Sequence, residues 1–94
     1  MKAIPHDARA YKRTPTFTET TVPKGLTRRH ATKKDVWGRI VVVEGRLLYR
    51  VLEPKLTEEV LTPAQFGVIE PEAPHEVEPL GDVSFYVEFL RRPD

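Results

Sequence analysis

Short apolar segments recur along this chain, and the clearest of them has the two-residue period of a β-strand. In residues 83–90 the odd positions are apolar, whereas the even positions include serine, tyrosine and glutamate. Alternation of this kind places the odd set on one packed face: Val83, Phe85, Val87 and Phe89. No window of about 11 residues carries a convincing helical period. The pattern therefore predicts an all-β protein.

Eight short strands separated by Gly and Pro are predicted, at residues 16–22, 25–30, 37–43, 46–52, 56–61, 66–69, 75–78 and 83–90. Glu44 and Gly45 are predicted to form a tight hairpin turn, because glycine accepts the positive φ that such turns need. A second turn is predicted at residues 79–82, and the polar segment 56–61 is assigned to a sheet edge or the surface. Strands of this length and spacing are typical of a β-sandwich or a β-barrel.

The length of 94 residues suits one small domain. We divide it into a polar, basic N-terminal arm at residues 1–14 and a β-domain at residues 15–94. The net charge of +1 argues against a nucleic-acid or membrane-surface binder, since such proteins usually carry a large basic excess. No segment has the apolar run of a signal peptide or a membrane span, so a cytoplasmic location is expected.

Several kinds of site are excluded by composition. The chain has no cysteine, so a disulfide, a thiolate zinc site and a cysteine nucleophile are all excluded. Its one serine, Ser84, lies inside a predicted strand, and no glycine-rich phosphate loop occurs, so serine hydrolysis and nucleotide hydrolysis are not expected. Any metal ion must be bound by histidine nitrogen and by oxygen ligands.

Four motifs in a fixed order connect the chain with a known family. They are His30-x-Thr32-Lys33-x-x-x-Trp37-Gly38, then Val43-Glu44-Gly45-x-Leu47-x-Tyr49, then Gly67, Pro71 and His75, and finally Val87-Glu88-Phe89. Over residues 13–92 the chain resembles a small cupin-like family of unknown function, which includes the YeaR-like proteins and the extra domain of some TehB-type tellurite-resistance methyltransferases. The resemblance implies a single-domain cupin-type barrel (a double-stranded β-helix, or jelly roll). It does not imply methyltransferase activity, which belongs to a separate domain.

The resemblance also implies a metal site. One divalent transition metal, zinc, nickel, iron or copper, would be bound by His30 and His75, since imidazole nitrogen is a ligand for all four. The third ligand would be Glu88 or Glu76. In the alternative interpretation, the two histidines hydrogen-bond within a polar pocket and bind no metal.

The chain departs from the better-known enzymatic cupins in its first motif. Those proteins supply a His-x-His pair and a glutamate there, whereas this chain has Thr32 at the second histidine position and Val36 and Trp37 in the glutamate region. Two of the four usual ligands are therefore present. A usable metal site normally needs three protein ligands, so a tightly bound catalytic metal depends on the third.

Other candidate ligand-binding residues surround the two histidines. Basic residues crowd the region near His30: Lys24, Arg28, Arg29, Lys33, Lys34 and Arg39. Lys33 and Arg39 are candidates to hold an anionic ligand by charge-assisted hydrogen bonds, although a solvated surface is the commoner fate of such residues. Trp37 and Tyr49 are candidates for the pocket wall, with Trp37 as a core anchor in the alternative interpretation.

We therefore expect a protein that binds a small molecule or an anion in its barrel, with or without a divalent metal. A role in a stress or tellurite-resistance-like response fits the resemblance. One alternative is a metal-dependent dioxygenase or isomerase, and another is a non-enzymatic structural or interaction module, so whether the chain is an enzyme stays open. A homodimer is expected, because exposed strand edges need cover.

Overall fold

The computed structural model describes residues 3–93 and contains one six-stranded antiparallel sheet. The strands are β1 (Arg9–Arg13), β2 (Phe17–Thr18), β3 (Trp37–Val51), β4 (Thr57–Leu61), β5 (Gly67–Ile69) and β6 (His75–Arg91). A single short 3₁₀ helix, Lys24–Thr27, lies between β2 and β3. The all-β prediction is therefore confirmed for the described residues.

Two long strands form the centre of the sheet. β3 pairs with β6 along almost its whole length, from Trp37 opposite Leu90 to Val51 opposite His75. β4 pairs with the second half of β3 and β5 with its first half, while β1 and β2 pair with β6. β4 is thus an edge strand, as the polar character of its sequence predicts.

The predicted hairpin at Glu44 and Gly45 is wrong, and so is the predicted turn at residues 79–82. Both segments lie inside long strands, where the β3–β6 register shifts between Val42 and Glu44 and between Gly45 and Leu47. Gly45 has φ of +83° and Gly81 has φ of +84°. A glycine at positive φ serves a bulge as well as it serves a hairpin turn, so local sequence does not distinguish the two.

The two predicted N-terminal strands are also corrected. Residues 25–30 do not form a strand, because the 3₁₀ helix occupies Lys24–Thr27 and only His30 makes an isolated bridge, to His75. The strand predicted at residues 16–22 is limited to Phe17–Thr18. It ends in a turn, in which the amide of Thr18 donates to the hydroxyl of Thr21 at 2.8 Å. Threonine hydroxyls compete in this way with the hydrogen bonds of a sheet.

One hydrophobic core joins the two halves of the sheet. Its fully buried side chains include Ile40, Leu47, Leu61 and Phe85, and Val83 and Val87 of the alternating segment are buried with them. Phe89, the last member of that set, is partly buried against the same core. The hydroxyl of Tyr49, in the second half of β3, donates to the Val68 carbonyl of β5 at 2.9 Å, so the sheet curls and its halves face each other.

The segment predicted as an N-terminal arm contains β1, which pairs with the C-terminal part of β6. The Arg13 guanidinium lies 3.6 Å from the centre of the Tyr86 ring and the Arg91 guanidinium lies 4.4 Å from that of Tyr11. Such cation–π contacts stabilise β1 on the sheet. The first two residues of the predicted arm lie outside the described residues.

The described residues form an open, curled antiparallel sheet, and their strand pairing does not show a closed barrel. The finer prediction of a cupin jelly roll therefore stays a prediction. Among residues 3–93, no helix has the length and apolar character needed to cross a membrane.

Candidate functional site

The structure brings His30 and His75 together. Their backbones form an antiparallel bridge, with the His30 amide donating to the His75 carbonyl at 3.0 Å and the His75 amide to the His30 carbonyl at 2.9 Å. The two imidazole rings meet edge to face, with 4.0 Å between their centroids. Residues 45 positions apart in sequence thus form one pair because β6 extends to accept a partner on its free side.

Both rings are oriented by the backbone. Nδ1 of His30 contacts the Arg28 carbonyl at 2.9 Å, and Nδ1 of His75 contacts the Ala73 carbonyl at 2.8 Å. A carbonyl oxygen only accepts, so Nδ1 must carry the proton in each ring. In the neutral form Nε2 therefore has a free lone pair. No other described residue hydrogen-bonds to either Nε2, so this nitrogen is available to a ligand.

His75 is buried, with only 1% of its surface exposed. The pKa of His75 is lowered to about 4, chiefly by burial, which outweighs the opposing hydrogen bond to the Ala73 carbonyl; the neighbouring His30 makes a smaller lowering contribution. The His75 imidazole is therefore neutral at physiological pH. Its lone pair is available as a hydrogen-bond acceptor or as a metal ligand.

A cavity of about 150 Å³ lies beside the histidine pair. Its wall is mainly aliphatic and aromatic, with threonine and histidine as the polar side chains. It is lined by Thr14, Leu26, His30, Ala31, Thr32, Ile40, Ile69, His75, Val77, Phe85, Val87 and Phe89. The inward-facing residues of β3, β5 and β6 supply most of this wall, so the cavity lies in the hydrophobic interior.

The two candidates for a third metal ligand lie on the outer face of the sheet. Side chains alternate between faces along β6, so Glu76 and Glu88 point away from His75 and Val87. Glu76 accepts from Arg50 at 2.9 Å and Glu88 from Arg39 at 3.0 Å. Over residues 3–93, no group of three or more His, Cys, Asp or Glu side chains is placed to hold a metal ion.

The other predicted ligand-binding residues do not line this cavity in the described structure. Lys33 is exposed on the loop before β3, and Trp37 is partly buried at the start of that strand. Arg39 is ion-paired with Glu88 on the outer face. The Tyr49 ring lies 5.8 Å from the His75 ring, but its hydroxyl is engaged by Val68, and it borders a separate open groove.

Thr14 and Thr32 contribute polar atoms to the cavity, and neither was singled out as a ligand-binding residue by the sequence pattern. The Thr14 hydroxyl donates to the Pro15 carbonyl at 2.9 Å and accepts from the Val87 amide at 3.0 Å. The Thr32 hydroxyl donates to the Val36 carbonyl at 2.8 Å. The one available signal was the position of Thr32, two residues after His30 in the motif.

One known family matches most of the chain. The model of the TehB-like domain matches residues 12–87. The chain belongs to the TehB-like domain family. The part of the family prediction that concerns TehB is therefore confirmed, while membership of the cupin superfamily stays a prediction.

The TehB-like chain is similar to two curated proteins, each described as a probable S-adenosyl-L-methionine-dependent methyltransferase TehB, from two strains of Haemophilus influenzae. The identities are 33% and 32% over 76 residues, which cover 77% of this chain but 27% of each relative. The chain thus spans about a quarter of the length of these relatives. Their whole-protein activity is not transferred to it by this match.

Solved structures that are similar to the TehB-like chain include one from Haemophilus influenzae and one from Escherichia coli. The crystal structure of TehB from Haemophilus influenzae matches with a TM-score of 0.85 and 26% identity, over 95% of this chain and 33% of that one. The crystal structure of a protein from Escherichia coli strain K12 matches with a TM-score of 0.91 and 26% identity, over the whole of both chains. The same fold therefore occurs within a longer protein and as a chain of this length.

Proposed function

We propose that this TehB-like domain is a small-molecule-binding module whose ligand enters the cavity beside His30 and His75. The observation that carries the proposal is the pair of imidazoles in that wall, each oriented through Nδ1 and each with Nε2 available. Pockets that bind small molecules are typically apolar, with a few polar groups placed to orient the ligand. This cavity has that composition.

The electrostatic surroundings support this interpretation. On the outer face of the sheet, one arginine is ion-paired with three glutamates. Arg50 donates to Glu58, Glu76 and Glu78 at 2.9, 2.9 and 2.6 Å. Arg39 and Glu88 form a further ion pair on that face, at 3.0 Å. These charged side chains are therefore already paired with one another, and neither group belongs to the wall of the cavity beside the histidine pair.

Filling the cavity tests the proposal. Val77 lines the cavity from β6, so Val77→Phe places a ring in the space that a ligand would occupy. We expect the affinity for bound fragments to fall at least about tenfold, at a stability cost of about 1–3 kcal/mol from overpacking. The measurement is a ligand-observed NMR screen of small aromatic and aliphatic fragments.

The matched control is Val60→Phe, which adds the same atoms to an exposed position on β4. It should keep the fragment binding of the unmodified chain. Equal binding by both variants would place the fragments elsewhere and contradict the proposal, as would the absence of any bound fragment.

A divalent transition metal at His30 and His75 is the second candidate, favoured by the 4.0 Å separation of the two ring centroids and by Nδ1 being engaged in each ring. Two imidazoles supply half of a tetrahedral zinc shell, and the described residues add no third His, Cys, Asp or Glu. The residues therefore fit an ion whose remaining ligands are exchangeable rather than a closed structural site. An ion held in this way would polarise a bound oxygen or nitrogen atom.

Elemental analysis tests the metal. Chain purified without chelator and incubated with zinc, nickel, iron(II) and copper should retain close to one equivalent of metal if His30 and His75 bind it. The double variant His30→Gln/His75→Gln should lose that metal, and His6→Gln, which removes an exposed histidine outside the cavity, should not. Metal retained by the double variant, or none bound by the unmodified chain, would remove this candidate.

The remaining interpretations rest on the family rather than on the site. A dioxygenase or isomerase would need a third protein ligand, and both glutamates considered for it are ion-paired on the outer face. A part in a tellurite-resistance-like response, or an interaction with a methyltransferase, is a proposal by analogy with TehB. The homodimer stays a prediction and can be measured by light scattering.

A further inference from the structure

The hydrogen-bonding character of the cavity wall restricts what it can bind. His30 and His75 each use their Nδ1 proton on a backbone carbonyl, so Nε2 is an acceptor in the neutral ring. The hydroxyl proton of Thr32 goes to the Val36 carbonyl and that of Thr14 to the Pro15 carbonyl. Every polar side chain of this wall thus offers a ligand lone pairs and no proton.

No cationic side chain compensates for this. Neither lysine nor arginine belongs to the described wall of the cavity, although the sequence has many near His30. An anion placed there would meet polar side chains that offer only acceptor lone pairs, in an apolar surrounding without a counter-charge, which is unfavourable. A desolvated organic cation would also lack a counter-charge, because neither aspartate nor glutamate belongs to the described wall. The anionic ligand expected from the basic cluster therefore does not fit this cavity.

The size of the cavity sets the second restriction. An apolar cavity of about 150 Å³ is large enough for a benzene ring. Ile40, Ile69, Phe85 and Val87 supply the apolar contacts for such a body. The acceptors at the histidine pair would then meet a single polar group on one end of the ligand.

We infer that the cavity selects a small uncharged molecule with a hydrogen-bond donor, an O–H or N–H group, on an apolar body about the size of phenol. The donor is received by Nε2 of His30 or His75, and the body packs against the aliphatic and aromatic wall. This inference rests on the proposed function and specifies its ligand class.

Three probes of similar shape test the class: phenol, toluene and benzoate. Binding is measured by calorimetry and NMR on the full chain after dialysis against EDTA, at pH 8, where imidazole (ordinary pKa about 6.5) is neutral and phenol (about 10) keeps its proton. We expect phenol to bind about tenfold or more tightly than toluene, because toluene leaves a buried acceptor unpaired. Benzoate should bind more weakly than either.

The unmodified chain provides a direct readout of the contact. Donation by phenol should shift the ¹⁵N resonance of an unprotonated Nε2, whereas toluene should leave it in place. In His30→Phe, which removes an acceptor at a partly buried position, the preference for phenol over toluene should fall. Lys33→Ala, the control, removes an exposed cation outside the cavity and should change nothing.

The outcomes separate the two proposals. If phenol and toluene bind equally, or the Nε2 resonances do not respond to bound phenol, the ligand class is overturned while binding in the cavity stands. If benzoate binds most tightly and Lys33→Ala weakens it, an anion site replaces the inferred class. If none of the three probes binds, the proposed function itself fails. The NMR readout keeps the test decisive even where His30→Phe does not fold.

Discussion

Replacing Gly45 with alanine is expected to lower the free energy of unfolding by about 3 kcal/mol or more, from backbone strain and steric clash together. Gly45 has φ of +83°, a region that L side chains rarely adopt. A Cβ built there would lie 2.1 Å from the Asp82 carbonyl oxygen and 3.0 Å from the Val83 Cα. Because these are backbone atoms of the paired strand, β3 and β6 would have to separate at the bulge.

Gly81 is the matched control for conformational strain without the clash. It has φ of +84°, but a Cβ built there meets nothing within 4 Å. Gly81→Ala is therefore expected to cost only about 1 kcal/mol, the lower part of the left-handed penalty. Urea denaturation of both variants measures the difference. A Gly45→Ala variant as stable as Gly81→Ala would show that the strands do not approach each other as described.

Lowering the pH from 6.5 to 4 is expected to remove about 3 kcal/mol of stability through His75 alone. Its pKa is about 4 in the folded chain, against an ordinary value of 6.5, because burial outweighs the hydrogen bond to the Ala73 carbonyl and the adjacent His30 adds a smaller lowering effect. As the pH falls, the unfolded chain therefore binds this proton first. The stability that neutral His75 contributes is therefore fully present above pH 6.5. It is lost progressively between pH 6.5 and pH 4 and is gone below pH 4.

Two measurements check this expectation. An NMR titration of the His75 ring should give a folded-state pKa near 4, and denaturation at a series of pH values should give the slope. His75→Phe should flatten the slope, whereas His6→Gln, which removes an exposed imidazole, should retain it. A His75 that titrates near 6.5 in the folded chain would contradict both its burial and the loss of stability assigned to it.

The histidine pair is the part of the candidate site that the sequence predicts. His30 and His75 were singled out because their motifs resemble those of a metal-binding family, and they do lie together. Glu76 and Glu88 illustrate the limit. Their proximity to His75 and to the last apolar segment suggested a role as ligands, but the alternation of side chains along β6 directs them to the outer face, where Arg50 and Arg39 bind them.

The cavity wall could not have been predicted in the same way. It combines Thr14, Leu26 and Thr32, which precede β3, with inward-facing residues of β3, β5 and β6. The acceptor character of the two threonines depends on which carbonyl each hydroxyl meets. Those contacts follow from loop conformation, which the residue types alone do not specify.

By itself, the sequence determined the strand-forming segments from residue 37 onward, the packed face of residues 83–87, the polar edge strand and the histidine motifs, because period and composition act locally. Only the tertiary structure decided that residues 37–51 and 75–91 are each one long strand rather than two joined by a turn. The physical reason is that Gly45 and Gly81 permit either arrangement, and the choice depends on pairing between segments that are distant in the chain. The same pairing placed His30 beside His75 and left both Nε2 atoms available to a ligand.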